Sequence, residues 1–250
     1  MHHLAEITAY LDQFLNTRGI IDYPGAHNGL QLESPGRVTK IGAAVDACET
    51  VLAQAVEQGI DLLLVHHGLL WIPQRYTGSM YRKLKSAMAG GLAVYSSHLP
   101  LDLHPTVGNN AELCRALGLG PAEPAFGYKG QLIGLKVKAA LTLEELARRL
   151  EAALGSSPHL CPGGPATTRC IGIVTGGAGS EVPQALGEGV DTFITGEGPH
   201  WSYTLAEELG INLFYGGHYA TETFGVKALA AHLSERFALP WEFIDHPTGL

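Results

Sequence analysis

Apolar and polar positions fall into blocks along this chain, and the period of the pattern changes from block to block. MHHLAEITAYLDQFL (1–15) spaces its apolar residues as a helix does and carries Glu6 and Asp12, so it predicts an amphipathic helix and not a leader peptide. IGAAVDACETVLAQAVEQGIDLLLVHHG (41–68) reads as strand, loop, helix and strand. Within it, DLLLV runs straight into His66, His67 and Gly68. AVYSS (93–97) is another short strand. After LTLEELARRLEAAL (141–154), a second amphipathic helix, the succession returns in IGIVTGGAGSEVPQALGEGVDTFITGEG (171–198) and in LFYGG (213–217). Unbroken apolar runs such as DLLLV and DTFIT predict strands buried on both faces.

The two long blocks align without a gap at a constant offset of 130, sharing Ile, Gly, Gln, Ala, Gly, Asp and Gly at 41, 42, 54, 55, 59, 61 and 68. YSSHLPLD (95–102) and YGGHYATE (215–222) align at an offset of 120, so His-x-x-x-Asp/Glu occurs once in each half. Any two strand-helix-strand units share some glycines and apolar positions, but two blocks in the same order favour an internal duplication. The expectation is an α/β fold of two similar three-layer halves with mostly parallel sheets, divided as 1–125 and 126–250. PAEPAFGYKG (121–130), with Pro121, Pro124 and Gly127, reads as the linker.

The chemistry gathers at predicted strand ends, where parallel sheets bind ligands. Neighbours in a regular strand point to opposite faces, so two adjacent imidazoles share a site only where the strand stops. His66 and His67 stand at such a place. His98 and Asp102 follow AVYSS, with Pro100 and Pro105 stiffening the loop. His104 reads as a solvent-exposed loop residue. His218 and Glu222, four apart on a helix, lie on one face. His66, His67, Asp102, His218 and Glu222, with His98 as a further ligand or a partner of one, exceed the needs of one ion. They suit two divalent ions of zinc, iron or manganese with open positions for water. Glu197 takes the repeat position of His67, as a general base or as a partner of a metal-bound histidine.

Arg75, Arg82 and Lys83 follow the histidine pair. They read either as a mobile lip for an anionic substrate such as a nucleotide phosphate, or as a solvated helix face. VTGGAGS (174–180) lacks the lysine of a phosphate loop and reads as a tight turn.

Charge and cysteines narrow the classes. A formal net charge of −8 without a basic tract speaks against nucleic acid as a partner. Cys48, Cys114, Cys161 and Cys170 form no C-x-x-C pair, which fits reduced thiols in the cytoplasm. No stretch is long enough to span a membrane.

VHHG (65–68), HLPLD (98–102), NN (109–110), ITGE (194–197) and GGHYATE (216–222), with NGLQ (28–31) and FIDHP (243–247), resemble the signatures of the Nif-three-like family of dinuclear-metal hexameric proteins, often labelled GTP cyclohydrolase I type 2 homologues. The resemblance spans nearly the whole chain. It implies a homohexameric toroid with two metal ions per subunit held by His66, His67, Asp102, His218 and Glu222, with Glu222 as the bridge. It also implies His98 and Glu197 beside the site. AHNGLQ (26–31) departs from the family's Asp-Asn-x-Gly-Leu-Gln, and Pro247-Thr248 from its Pro-Asn-Pro; neither touches a proposed ligand. The implied function is a metal-dependent hydrolase attacking C8 of a guanine nucleotide, with His98 or Glu197 moving protons. The alternative is a metal-handling or toroidal scaffold protein without catalysis.

Overall fold

The structure is a computed structural model that describes residues 2–71 and 75–250. It divides into two compact units, Met1–Val107 with Gly225–His246, and Gly108–Phe224 with Pro247–Leu250.

The first unit runs β1 (His2–His3), α1 (Leu4–Phe14), β2 (Gly29–Leu32), β3 (Arg37–Val38), β4 (Ile41–Asp46), α2 (Glu49–Glu57), β5 (Leu62–His67), α3 (Gly78–Ala89), β6 (Ala93–Ser96) and α4 (Leu99–Asp102). A late strand, β13 (Trp241–Phe243), completes its sheet in the order β13-β4-β5-β6-β2. All pairings in it are parallel except β2 with β6. Residues 41–45, 62–66 and 93–96 are buried throughout, as parallel strands covered on both faces must be. Val51, Leu52 and Ala55 of α2 and Ala87 of α3 pack on Leu63, Val65 and Val94, which fixes where β5 ends and so where His66 and His67 are presented.

The second unit runs α5 (Asn109–Ala116), β7 (Glu123–Tyr128), β8 (Gln131–Lys138), α6 (Leu143–Leu154), β9 (His159–Cys161), β10 (Cys170–Ile173), α7 (Val182–Gly187), β11 (Thr192–Thr195), α8 (Trp201–Leu209), β12 (Asn212–Tyr215) and the start of α9 (His218–Phe237). Its sheet has the order β7-β8-β10-β11-β12-β9. Only β10, β11 and β12 are mutually parallel; β7, β8 and β9 pair antiparallel, so this sheet is mixed where the alternating pattern predicts a mostly parallel one. The cause is local. PAEPAFGYKG is not a linker: Glu123–Tyr128 forms β7 and turns through Lys129 and Gly130, both at positive φ, into β8. The unit boundary accordingly falls at 107/108 and not near 125/126, and residues 225–246 rejoin the first unit.

The aligned stretches occupy equivalent strands. Ile41 pairs with Leu62 in β4–β5 and Ile171 with Thr192 in β10–β11, the same register 130 residues apart. The shared aspartates also do the same work. Asp61 accepts the backbone N–H groups of Thr39 and Lys40, and Asp191 those of Arg169 and Cys170. Gly59 and Gly189 end α2 and α7 at φ 66° and 75°, a left-handed turn that a side chain resists. The next pair departs by one residue: Leu62 faces Ala93, whereas Thr192 faces Asn212.

Among the described residues no helix is long and apolar enough to cross a membrane. The four cysteines are free thiols; burial pushes Cys114 and Cys170 up and Cys161 to about 11, which makes them poor nucleophiles.

Candidate metal centre

In the first unit the strand ends bring three imidazoles together. The ring of His66 lies 4.8 Å from that of His67 and 4.9 Å from that of His98, and His67 lies 5.7 Å from His98. One ring nitrogen from each falls within 4.8 Å of the others, a grouping able to hold a metal ion. Trp71 stands edge-on against His98 at 4.9 Å and forms part of the wall.

Each ring is fixed through Nδ1. His66 is fully buried, and its Nδ1 lies 2.9 Å from the Ser97 carbonyl oxygen, so Nδ1–H donates there. His67 Nδ1 donates to Asp46 Oδ1 at 2.8 Å. His98 Nδ1 donates to Asp22 Oδ1 at 2.8 Å. A neutral imidazole that donates from Nδ1 keeps its lone pair on Nε2, the usual arrangement of a metal-binding histidine. Asp102, at the end of α4, is buried, and its Oδ2 is 3.5 Å from His66 Nε2.

Asp22 and Asn28 complete the support. Asn28 Oδ1 accepts the His98 backbone N–H at 2.7 Å, and its amide donates to Asp22 Oδ2 at 2.7 Å. Burial pushes the Asp22 carboxyl up, but the bond and charge of His98, with Asn28 and the Tyr23 N–H, outweigh it and hold the group below its ordinary value. Gln31 Oε1 accepts the N–H groups of Leu69 and Leu70 and so ties down the turn after Gly68.

The second unit repeats the device at the start of α9. His218 Nδ1 donates to Glu197 Oε1 at 2.8 Å, and His218 Nε2 lies 3.2 Å from Glu222 Oε2. Glu222 is buried. Its hydrogen bond to His218, opposed by burial and joined by the charge of both carboxylates, raises the imidazole to about 9. VTGGAGS makes room for this pair. Gly176 has φ 73°, and a Cβ there would strike the Glu222 carboxylate. The Gly176 carbonyl oxygen accepts the N–H groups of Gly196 and Glu197. The glycines thus form the expected tight turn, one that lets Glu222 approach closely.

These donors fit divalent ions. In a tetrahedral site with bonds of about 2.0–2.2 Å, neighbouring ligand atoms sit roughly 3.4 Å apart. The spans of 3.5 Å at His66–Asp102 and 3.2 Å at His218–Glu222 match that edge.

Other expected residues are placed differently. Arg82 and Lys83 lie on α3, not on a lip. Arg82 Nε donates to Glu49 Oε1 at 2.7 Å, and Lys83 Nζ to the Ala47 carbonyl at 3.2 Å, one residue beyond Asp46. Arg75 is exposed, and residues 72–74 of that segment lie outside the described residues. His104 is not a solvent-exposed loop residue: it is half-buried, donates from Nε2 to the Phe14 carbonyl and packs on the Phe14 ring at 4.3 Å. Sequence reading missed Asp46, Asp22 and Trp71. Asp46 ends β4 opposite His67 in the parallel register, a pairing that only the folded sheet brings about.

The sequence model of the Duf34/NIF3 (NGG1p interacting factor 3) family matches residues 2–248. A Deinococcus radiodurans protein named GTP cyclohydrolase 1 type 2 homolog is 38% identical over 98% of this chain and 94% of its own length. One of the same name from Pyrococcus horikoshii is 40% identical over 98% of both chains. The crystal structure of TTHA1606 from Thermus thermophilus superposes with a TM-score of 0.91 at 42% identity, covering 98% of this chain and 99% of that one. With a match of this length in sequence and in fold, the chain belongs to the Duf34/NIF3 (NGG1p interacting factor 3) family.

Proposed function

We propose that this chain is a metal-dependent hydrolase that holds two divalent ions, zinc, iron or manganese, and acts on a C–N bond of a guanine nucleotide. The observation that carries the reading is the shared state of four histidines. His66, His67, His98 and His218 each have Nδ1 held by an oxygen acceptor, leaving Nε2 as the ligand atom. A fold needs no such repetition, whereas imidazoles that ligate metal almost always show it. The proposed ligands are His66, His67, His98 and Asp102 from the first unit and His218 and Glu222 from the second. Bound divalent ions supply Lewis acidity at a substrate oxygen and acidify water.

The chain's own residues supply orientation. Asp46, the Ser97 carbonyl and Asp22 hold the first three rings, and Glu197 holds the fourth. This bond favours Glu197 as a positioning residue over a free general base. Lys83, bonded to the Ala47 carbonyl, places a cation just past the end of β4, the strand whose Asp46 holds His67, where it suits an anionic substrate; Arg82 is engaged by Glu49. The name carried by the relatives supports guanine nucleotides as the substrate class. A cytoplasmic location agrees with the four free thiols, and a homohexameric toroid rests on the resemblance alone.

The test is turnover. Protein loaded separately with zinc, manganese and ferrous iron is incubated with GTP and with a panel of phosphoesters and amides, and products are read by mass spectrometry. We expect at least one metal form to open GTP and chelation to abolish the activity. Full metal with no turnover of any substrate would refute hydrolysis and favour the metal-handling or scaffold reading.

A further inference from the structure

A cavity of about 410 Å³ lies in the second unit, lined by His159, Gly198, Pro199, His200, Tyr203 and Tyr215. We propose that it is the subsite for the planar heteroaromatic ring of the substrate, a purine base. The inference rests on the hydrolase reading and adds to it the residues that select the substrate's ring.

The lining is aromatic and fixed. His159 and Tyr215 are cross-strand partners in β9 and β12, and their rings are 6.4 Å apart and nearly parallel, at 10°. Together they form a floor. Tyr203 rises beside it from α8, 6.0 Å from His159 and tilted by 40°. Ser202 donates its hydroxyl proton to the Pro199 carbonyl oxygen and accepts that of Tyr215, so the floor is anchored to the first turn of α8. A cross-strand pair that served only the core would be covered, but His159 is exposed, as is His200 just before α8. Rings of this kind hold nucleobases by stacking, and two exposed imidazoles offer hydrogen bonds to the edge of a base.

The position also fits. The cavity opens at the carboxyl ends of β11 and β12, where parallel strands present ligands. Gly198 follows Glu197 directly, and Tyr215 precedes His218 by three residues, so the floor lies within roughly 11 Å of the His218 backbone. The His218–Glu222 pair thus follows the floor directly along the chain. A side chain at Gly198 would strike Gly179 and the Tyr215 hydroxyl, so that edge is kept bare.

The test is calorimetric titration of the full chain, as purified, with guanosine, which has no phosphate to bind a metal. We expect saturable binding that Tyr203→Ala and His159→Ala each weaken about tenfold, with Tyr203→Phe retaining it and metal content equal in all variants. His159 is exposed, so its replacement leaves the core intact even where Tyr203→Ala fails to fold. Guanosine affinity unchanged in the His159 and Tyr203 variants would overturn the assignment. So would an absence of guanosine binding in protein that holds metal and turns over GTP. Binding that depends on these residues, in protein that hydrolyses nothing, would keep the ring subsite and remove the hydrolase reading.

Discussion

Asp46 offers the sharpest test of how the first unit prepares a ligand. It is not a proposed metal ligand; its carboxylate sits 2.8 Å from His67 Nδ1 and fixes the tautomer and the rotation of the ring. Replacing it by Ala removes that hold and lets the ring carry its proton on Nε2, the atom that metal binding needs bare. Removal of such a partner lowers metal affinity about 10- to 100-fold, or roughly 1.4–2.7 kcal/mol. The fold is little affected, because the Asp46 side chain is about one-third exposed (32%) and the backbone pairing of β4 with β5 remains. Asp46→Asn keeps an acceptor but loses the charge, so it falls between the wild type and Ala. Competition against a chromophoric chelator gives the affinities, and thermal unfolding in excess chelator gives the metal-free stability. Equal zinc affinity for wild type and Asp46→Ala would refute the claim that this carboxylate prepares His67. Equal loss of affinity and of metal-free stability would reduce it to a structural contact.

Further outcomes follow from the same structure. In the metal-free chain His218 is raised from 6.5 to about 9, mainly by Glu222. Its folded value exceeds its unfolded one, so this stabilisation is fully present below pH 6.5 and is lost as pH rises through 9. Zinc must displace that proton, so calorimetry at about pH 7.5 in buffers of different ionisation enthalpy should show proton release that His218→Ala removes. Gly189→Ala, at φ 75° with open space around it, should cost about 1–2 kcal/mol and leave metal affinity unchanged. Gly176→Ala carries a similar backbone cost and also collides with Glu222, so it should lose metal as well; equal metal retention in the two variants would contradict the close-approach role. Asp191→Ala removes the acceptor for Arg169 and Cys170 N–H and should cost about 2–3 kcal/mol by chemical denaturation, with metal affinity unaltered.

Much of this was legible because period and punctuation coincide. The DLLLV and DTFIT runs announce buried parallel strands; the first leads directly into His66 and the second stops two residues before Glu197. The shared glycines at 42 and 172 mark places where a Cβ would meet Ile60 and Leu63 or Phe126 and Val190. Two features were hidden for physical reasons. The β7–β8 hairpin follows a proline-rich stretch, and its strand needs Phe126 at φ 63°, a conformation no propensity scale assigns to phenylalanine. Asp22 and Asp46 lie 76 and 21 residues from the histidines they serve, and a lone carboxylate carries no local pattern. Only the folded sheet joins them.

The most direct measurement is metal content per chain by elemental mass spectrometry on untagged protein, beside His218→Ala. The account predicts about two transition-metal equivalents in the wild type and a fall in the variant. No bound metal after reconstitution, or a content indifferent to His218, would contradict it and leave the pinned histidines as elements of structure alone.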